Sequence, residues 1–112
     1  MKKYDIRIVV IVRETRLEKV LASQNTLSQA KFYINSRGGD CGEYAAEHQQ
    51  YNASIQAARQ EIENLGNVQL LDRKYLPNFI FAPEDVVVVI GQDGLVANTL
   101  KYLSNQPVIG VN

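Results

Sequence analysis

The pattern of hydrophobic and polar positions along the chain predicts strands that alternate with helices. The densest apolar run, Val86–Ile90, consists of five consecutive β-branched residues without polar alternation. Such a run is typical of a parallel strand that is buried on both faces. Residues 4–12, 67–71 and 107–111 are further apolar runs of strand length. These four segments together predict a sheet of about four strands.

Three helices are predicted between the first and second strands. Thr15 is the expected N-cap of the first helix, and Asn25 or Thr26 that of the second. The apolar mass of the second helix is expected to come from Ala30, Phe32, Tyr33 and Ile34. The third helix, residues 42–65, carries an apolar stripe at helical spacing, formed by Tyr44, His48, Tyr51, Ile55, Ala58, Ile62 and Leu65.

The stripe on residues 42–65 has two interpretations. It packs on the sheet and a neighbouring helix, or it forms the interface of a homo-oligomer, which its tyrosines favour because such residues are common at interfaces. His48 lies on this stripe. We interpret it as a half-buried structural histidine rather than a catalytic one, since the sequence shows no partner acid or nucleophile near it.

The order of the elements predicts the fold class. Strands that alternate with helices are typical of α/β proteins with a parallel sheet. We therefore expect a three-layer, Rossmann-like fold, with a mostly parallel sheet of about four strands and helices on both faces. The crossovers between parallel strands are expected to be right-handed.

Composition excludes several classes of function. Twelve basic and twelve acidic residues cancel to a formal charge of zero, so we expect no basic surface for nucleic acid. Cys41 and His48 are the single cysteine and histidine, which argues against a zinc site built from such ligands. No apolar run approaches the roughly 20 residues that span a bilayer. We therefore expect a cytoplasmic protein that has no membrane partner.

The chemistry is expected at the end of the third strand, in Gly91-Gln92-Asp93-Gly94. A helix with apolar groups at Val96, Leu100 and Leu103 follows this turn. Ligands of open α/β sheets bind at the carboxyl ends of the strands, and the free N–H groups of a helix N-terminus favour anions. The alternative is a plain structural turn in which Asp93 caps the helix.

A second polar group follows the second strand. Asp72, Arg73 and Lys74 come just after its carboxyl end, where they either reach the same crevice as Asp93 or are simply solvated. The segment that continues to residue 83 contains two prolines and is expected to be irregular. Its aromatic and apolar side chains are expected to tuck under the edge of the sheet.

The residues of the last two strands carry a resemblance to a known family. Residues 85–94, with their Gly-x-Asp-Gly turn, and residues 107–112, Pro-Val-Ile-Gly-Val-Asn, resemble the amino-terminal half of the NAD kinases. The match covers about the last 28 residues well and the first strand loosely. Residues 13–84 look more like a narrower bacterial group of NAD-kinase-like proteins, often described as predicted sugar kinases.

The resemblance implies a function for the turn. Asp93 would be the base for the hydroxyl that is phosphorylated, Gly94 would contact the substrate through its backbone, and Gly91 would permit the sharp turn. ATP is the implied phosphate donor, with Mg²⁺, although no metal ligand is assigned in this chain. The implied ligands are a nucleotide or a phosphorylated small molecule.

Three departures from the family pattern change the expected activity. Gln92 replaces a glycine of Gly-Gly-Asp-Gly, and Leu95 stands where threonine is common. The carboxyl-terminal β-rich domain that completes the site is also missing. We therefore expect residues 1–112 to be one domain of a longer chain, the nucleotide-binding half of a kinase that is inactive in isolation. The alternative is a non-catalytic α/β module that binds a ligand or a partner protein.

Overall fold

The computed structural model describes residues 6–112 and contains four strands and four α-helices in that range. The strands are β1 (Arg7–Val12), β2 (Asn67–Asp72), β3 (Val86–Ile90) and β4 (Val108–Val111). The helices are α1 (Arg16–Gln24), α2 (Leu27–Ser36), α3 (Cys41–Ile62) and α4 (Asp93–Leu100). Residues 4 and 5 of the first predicted strand lie outside the described residues.

The four strands form one parallel sheet with the order β2-β1-β3-β4. Val9 lies opposite Gln69 on one side and Val87 on the other, and Val89 lies opposite Gly110. The prediction of an α/β, Rossmann-like fold with a parallel sheet of about four strands is confirmed. Because all strands run the same way, their carboxyl ends share one edge of the sheet.

The chain divides into two compact units. The sheet unit contains the described part of Met1–Arg13 together with Ile55–Asn112, and the helical unit is Glu14–Ser54. The sheet unit therefore holds all four strands and α4, while the helical unit holds α1 and α2. The boundary falls inside α3.

The core of the sheet unit lies on the two middle strands. Alternate residues of β1 and β3 form one buried cluster with Leu71, Leu76 and Leu95. The residues facing the other way, such as Val10 and Ile90, are also buried. This two-sided burial explains why β1 and β3 are apolar without interruption. The edge strands β2 and β4 expose Leu70 and Ile109 instead.

The segment after β2 is more regular than its prolines suggest. Arg73–Asn78 forms a 3-10 helix that buries Leu76 completely. Phe79 and Phe81 pack against the core cluster and touch edge to face, with their ring centroids 4.8 Å apart. Ile80 is 86% exposed, so the prediction that the apolar groups of this segment tuck under the sheet is only partly right.

An ion pair between the half-exposed Arg7 and the buried Asp85 fixes the loop that leads into β3. Arg7 Nε donates to Asp85 Oδ1 at 3.0 Å, and the Ala82 N–H donates to Asp85 Oδ2 at 2.7 Å. Burial alone would raise the pKa of the Asp85 carboxyl, but the hydrogen bonds from Arg7 and Ala82 outweigh it and lower the pKa below its usual value. The sequence reasoning missed this pair, because its members are 78 positions apart.

The helical unit begins with a fully capped helix. Thr15 is the N-cap of α1 and forms a reciprocal capping box with Glu18. Thr26 caps α2, which settles the choice between Asn25 and Thr26. Ala30 and Ile34 are buried as predicted. Phe32, a further apolar residue of this helix, is instead 75% exposed.

The long helix α3 ends at Ile62, three residues before its predicted end. Tyr51 and Ile55 of its stripe are buried within the single chain, whereas Leu65 lies in the following turn and is exposed. This burial favours packing inside the molecule as the role of the stripe. Within residues 6–112, no helix is both long enough and apolar enough to cross a membrane.

Candidate functional site

The turn after β3 requires glycine at position 91, because the buried side chain of Leu95 lies against it. Gly91 has a φ of +157°, and its N–H donates to the carbonyl of Val111 at 2.9 Å. A Cβ at Gly91 would lie 2.9 Å from Leu95 Cδ2, which is closer than such contacts allow. Leu95 is buried in the core cluster, so it cannot move away freely. Glycine at position 91 therefore permits the chain to turn directly from β3 into α4.

The first turn of α4 places Asp93 inside the helix rather than at its cap. The N-cap is Gln92, whose side chain makes no capping hydrogen bond. The alternative in which Asp93 caps the helix is therefore wrong. As the first residue of α4, the Asp93 carboxylate interacts favourably with the positive end of the helix dipole. The Asp93 and Gly94 N–H groups at the start of this turn have no intrahelical partner, whereas the Leu95 N–H donates to the carbonyl of Gln92 at 2.9 Å.

An open cavity of about 360 Å³ lies over this turn. Its lining consists of Gln92, Asp93, Gly94 and Asn112. Asn112 directly follows β4, the strand that pairs with β3 on its outer side. The cavity thus joins the carboxyl ends of two neighbouring parallel strands. Three of the four predicted site residues line it, and Gly91, the fourth, belongs to the same turn but does not line the cavity.

The polar groups of the cavity are available to a ligand. Asp93 is exposed, and within residues 6–112 its carboxylate makes no hydrogen bond or ion pair. In the same range the side-chain amides of Gln92 and Asn112 are also without hydrogen bonds. The cavity therefore offers one anionic acceptor, two amides and the N–H groups at the start of α4. This set can bind hydroxyl groups and the oxygens of a phosphate.

Asp72, Arg73 and Lys74 do not reach this cavity. Asp72 is the last residue of β2, Arg73 and Lys74 follow it, and β2 is separated from β3 by β1. Asp72 is the N-cap of the 3-10 helix and accepts a hydrogen bond from the Lys74 N–H at 3.0 Å. The Lys74 ammonium lies 5.3 Å from the centre of the Tyr75 ring. The hypothesis that these three residues share a crevice with Asp93 is therefore wrong.

The residues present do not form a magnesium site by themselves. No group of three or more His, Cys, Asp and Glu side chains within residues 6–112 could hold a metal ion. Asp93 is the one carboxylate in the cavity lining, and protein-bound Mg²⁺ often takes its other ligands from substrate phosphates and water. The cavity volume is at the small end of the roughly 300–1,000 Å³ of small-molecule sites. It can hold a phosphate group or one sugar ring, and because the cavity is open, the rest of a larger ligand can extend beyond the lining residues.

His48 has partners that the sequence reasoning did not find. Its Nδ1 lies 2.9 Å from Thr15 Oγ1 and 3.8 Å from Glu18 Oε1, while its Nε2 lies 3.0 Å from Asn52 Nδ2. The Thr15-x-x-Glu18 spacing is the sequence signal of this cluster. Thr15 is fully buried and caps α1. These contacts assign His48 a structural role at the start of α1.

Asn112 is the site residue that lacked an assigned role in the sequence analysis. The signal for it is its position after β4, but using that signal requires knowing that β4 pairs with β3.

Comparison of the chain with protein-family models, with curated proteins and with solved structures found no match. The resemblance to the NAD kinases thus rests on residues 85–94 and 107–112 and stays a prediction.

Proposed function

We propose that the chain is the nucleotide-binding half of an ATP-dependent kinase that resembles NAD kinase and phosphorylates a hydroxyl of NAD or of a sugar-like acceptor. The observation that carries this proposal is the exposed Asp93 carboxylate, which lacks a partner within residues 6–112 and lies in an open cavity at the carboxyl ends of β3 and β4. An acid in this place can hold a substrate hydroxyl and take its proton.

Asp93 would act by orienting the acceptor hydroxyl. Its carboxylate accepts a hydrogen bond from that hydroxyl and receives the proton as the oxygen bonds to the transferred phosphorus. ATP, when bound, supplies the phosphoryl group, and the bond to its leaving ADP oxygen breaks in the same step. Phosphoryl transfer proceeds through a loose transition state, so the proton moves to the carboxylate late in the step.

Gly94 supports the proposal, because the fold alone does not require glycine there. A Cβ at Gly94 would meet nothing within 4 Å, and its φ is not positive. Glycine inside a helix costs roughly 0.5–1 kcal/mol relative to alanine. Close approach of a ligand to the backbone of the first turn of α4 would explain why position 94 carries no side chain.

Gln92 would restrict what the cavity accepts. Its side chain lines the cavity at the position where NAD kinases carry glycine. Replacing Gln92 with glycine should open the approach to the first turn of α4, and nucleotide affinity should rise. If affinity stays the same in Gln92→Gly, the side chain does not limit nucleotide binding.

The test is phosphoryl transfer from ATP in the complete polypeptide that carries residues 1–112, with NAD and free sugars as acceptors. Asp93→Asn should lower the rate by about 10²–10⁴-fold, the range of general-base catalysis, with the fold intact by circular dichroism. Glu84→Gln is the matched control, since Glu84 is an exposed acid at the opposite end of β3. Full activity of Asp93→Asn would remove Asp93 as the base.

A non-catalytic module is the second candidate, and the small volume of the cavity favours it. A site of about 360 Å³ can hold a phosphorylated small molecule without any transfer. Calorimetry separates the two functions when it is combined with the transfer assay. Binding of ATP or a sugar phosphate that depends on Asp93, without transfer in the complete polypeptide, would support the ligand-binding module.

A further inference from the structure

A second cleft lies within the helical unit, where α1 turns into α2, and nothing in the proposed kinase function uses it. Its volume is about 460 Å³. The lining consists of Ser23, Gln24, Asn25, Ser28, Gln29 and Phe32. None of these side chains carries a charge, so the cleft differs in chemistry from the Asp93 cavity.

The backbone between α1 and α2 is in a rare conformation. Asn25 has φ 69° and ψ −36°, and the Thr26 N–H donates to the carbonyl of Gln24 at 2.8 Å. Together these values define a γ-turn with positive φ, which is rare and strained. Asn25 is the one residue other than glycine with positive φ in the described range 6–112. Strain of this kind clusters at ligand-binding and active sites.

Phe32 forms the apolar wall of the cleft. It is 75% exposed, although its helix buries Ala30 and Ile34 on the opposite side. Leu27 of the same helix is similarly exposed, at 64%, but it does not line the cleft. The fold therefore leaves one aromatic ring open beside a group of amides and hydroxyls.

The amides of the cleft are ready to pair with a ligand. The side chains of Asn25 and Gln29 make no hydrogen bond within the part of the chain that the structure describes. Side-chain amides of Asn and Gln form bidentate hydrogen bonds with the N6 and N7 edge of adenine. An exposed aromatic ring is the usual stacking surface for an unpaired base.

We propose that this cleft binds an uncharged purine nucleoside of the adenosine type, with its base stacked on Phe32 and its edge bound by the amides of Asn25 and Gln29. The lining contains no cationic side chain to pair with a phosphate, so the proposal is limited to the unphosphorylated nucleoside. The formal charge of zero likewise argues against a nucleic-acid strand. The proposal does not depend on the kinase function, because the Asp93 cavity lies in the other unit.

The experiment is an NMR titration of the full chain with adenosine, read at the backbone amides. Adenosine should shift the signals of Asn25, Ser28, Gln29 and Phe32. Phe32→Leu keeps an apolar side chain but removes the ring, and it should weaken binding about 5- to 150-fold, the range for loss of one stacked base. Leu27→Ala removes an equally exposed apolar group of α2 and should leave binding unchanged.

Three results would overturn the proposal. The first is the absence of shifts in the cleft at millimolar adenosine. The second is unchanged affinity in Phe32→Leu, with unaltered helicity by circular dichroism showing that the variant is folded. The third is binding of methyl glucoside as tight as that of adenosine, because a sugar has no planar base for the amides to read. Because Phe32 is largely exposed, the variants should fold normally.

Discussion

Gly91 and Gly94 flank the same carboxylate, but they have different physical reasons to be glycine. Gly91 is required by the turn, since a Cβ there would collide with Leu95. Gly94 faces open space beside the cavity. Gly91 is therefore required by the fold, whereas Gly94 leaves the N-terminus of α4 open to a ligand.

This difference predicts opposite effects of two alanine substitutions. Gly91→Ala should destabilise the protein by about 1–3 kcal/mol, the cost of a side chain in a strained backbone region. Gly94→Ala should leave stability unchanged or raise it by up to about 1 kcal/mol, while weakening binding at the Asp93 cavity. Thermal melting and calorimetric titration measure the two effects. Wild-type affinity in Gly94→Ala would show that no ligand approaches the backbone there.

The Arg7–Asp85 pair predicts acid sensitivity. The pKa of the Asp85 carboxyl is lowered in the folded protein, so the pair stabilises the fold fully above the unfolded pKa of about 3.9. That contribution is lost as the pH falls through the folded pKa. Asp85→Asn should cost roughly 1.5–3 kcal/mol at neutral pH, because hydrogen bonds to a charged group are lost. Urea unfolding between pH 7 and pH 3 measures both effects.

The control for this prediction is Glu84→Gln, which removes the neighbouring exposed acid. Its unfolding free energy at pH 7 should stay close to that of the wild type. Arg7→Met leaves the buried Asp85 carboxylate without its ion-pair partner, so the double variant Arg7→Met with Asp85→Leu, which removes both partners, should be more stable than Arg7→Met alone. Parallel pH profiles of the wild type and Asp85→Asn would contradict the account.

At the scale of the elements, α4 shows where sequence patterns succeed and where they fail. Its existence and its position after a Gly-flanked turn are confirmed. Its buried residues are Leu95 and Thr99, whereas Leu100 is exposed. Val96 and Leu103 pack against the core cluster as predicted, and the pattern failed at Leu100 and Thr99 because a threonine is counted as polar. Thr99 can be fully buried because its hydroxyl donates to the carbonyl of Leu95 at 2.8 Å.

The candidate site, like α4, was predictable from the sequence only in part. Local sequence located the turn of Gln92, Asp93 and Gly94, because a strand, a tight turn and a helix are adjacent in the chain. Asn112 and the Arg7–Asp85 pair depend on the strand order, which no local pattern specifies. The apolar residues of α2 were predicted without separating its faces, and the structure buries Ala30 and Ile34 but exposes Phe32.

The cap of α1 predicts a measurable loss of helical structure. Thr15 accepts hydrogen bonds from the Glu18 N–H and contacts His48 while fully buried. Thr15→Ala should therefore lower the free energy of unfolding by about 1–2 kcal/mol. Thr15→Ser keeps the hydroxyl and should restore most of that loss. Equal melting temperatures of the alanine and serine variants would show that the hydroxyl contributes nothing.

At the scale of the whole molecule, the sheet order predicts which backbone amides exchange with solvent most slowly. β1 and β3 are paired on both sides and buried on both faces, whereas β2 and β4 are edge strands. Amides of β1 and β3 should exchange with solvent only through global unfolding. Alternate amides of β2 and β4 should exchange faster, because an edge strand pairs on one side only. Native-state hydrogen exchange by NMR measures this, and uniform protection of all four strands would contradict it.

The proposed function requires the Asp93 cavity to bind a ligand, and an amide-resolved NMR titration with ATP, and separately with a sugar phosphate, measures this binding. Saturable shifts are expected at Gly91, Gln92, Asp93, Gly94 and Asn112, and they should weaken in Asp93→Asn and persist in Glu84→Gln. Unshifted signals for these five residues at millimolar ATP and at millimolar sugar phosphate would show that the cavity is not a binding site.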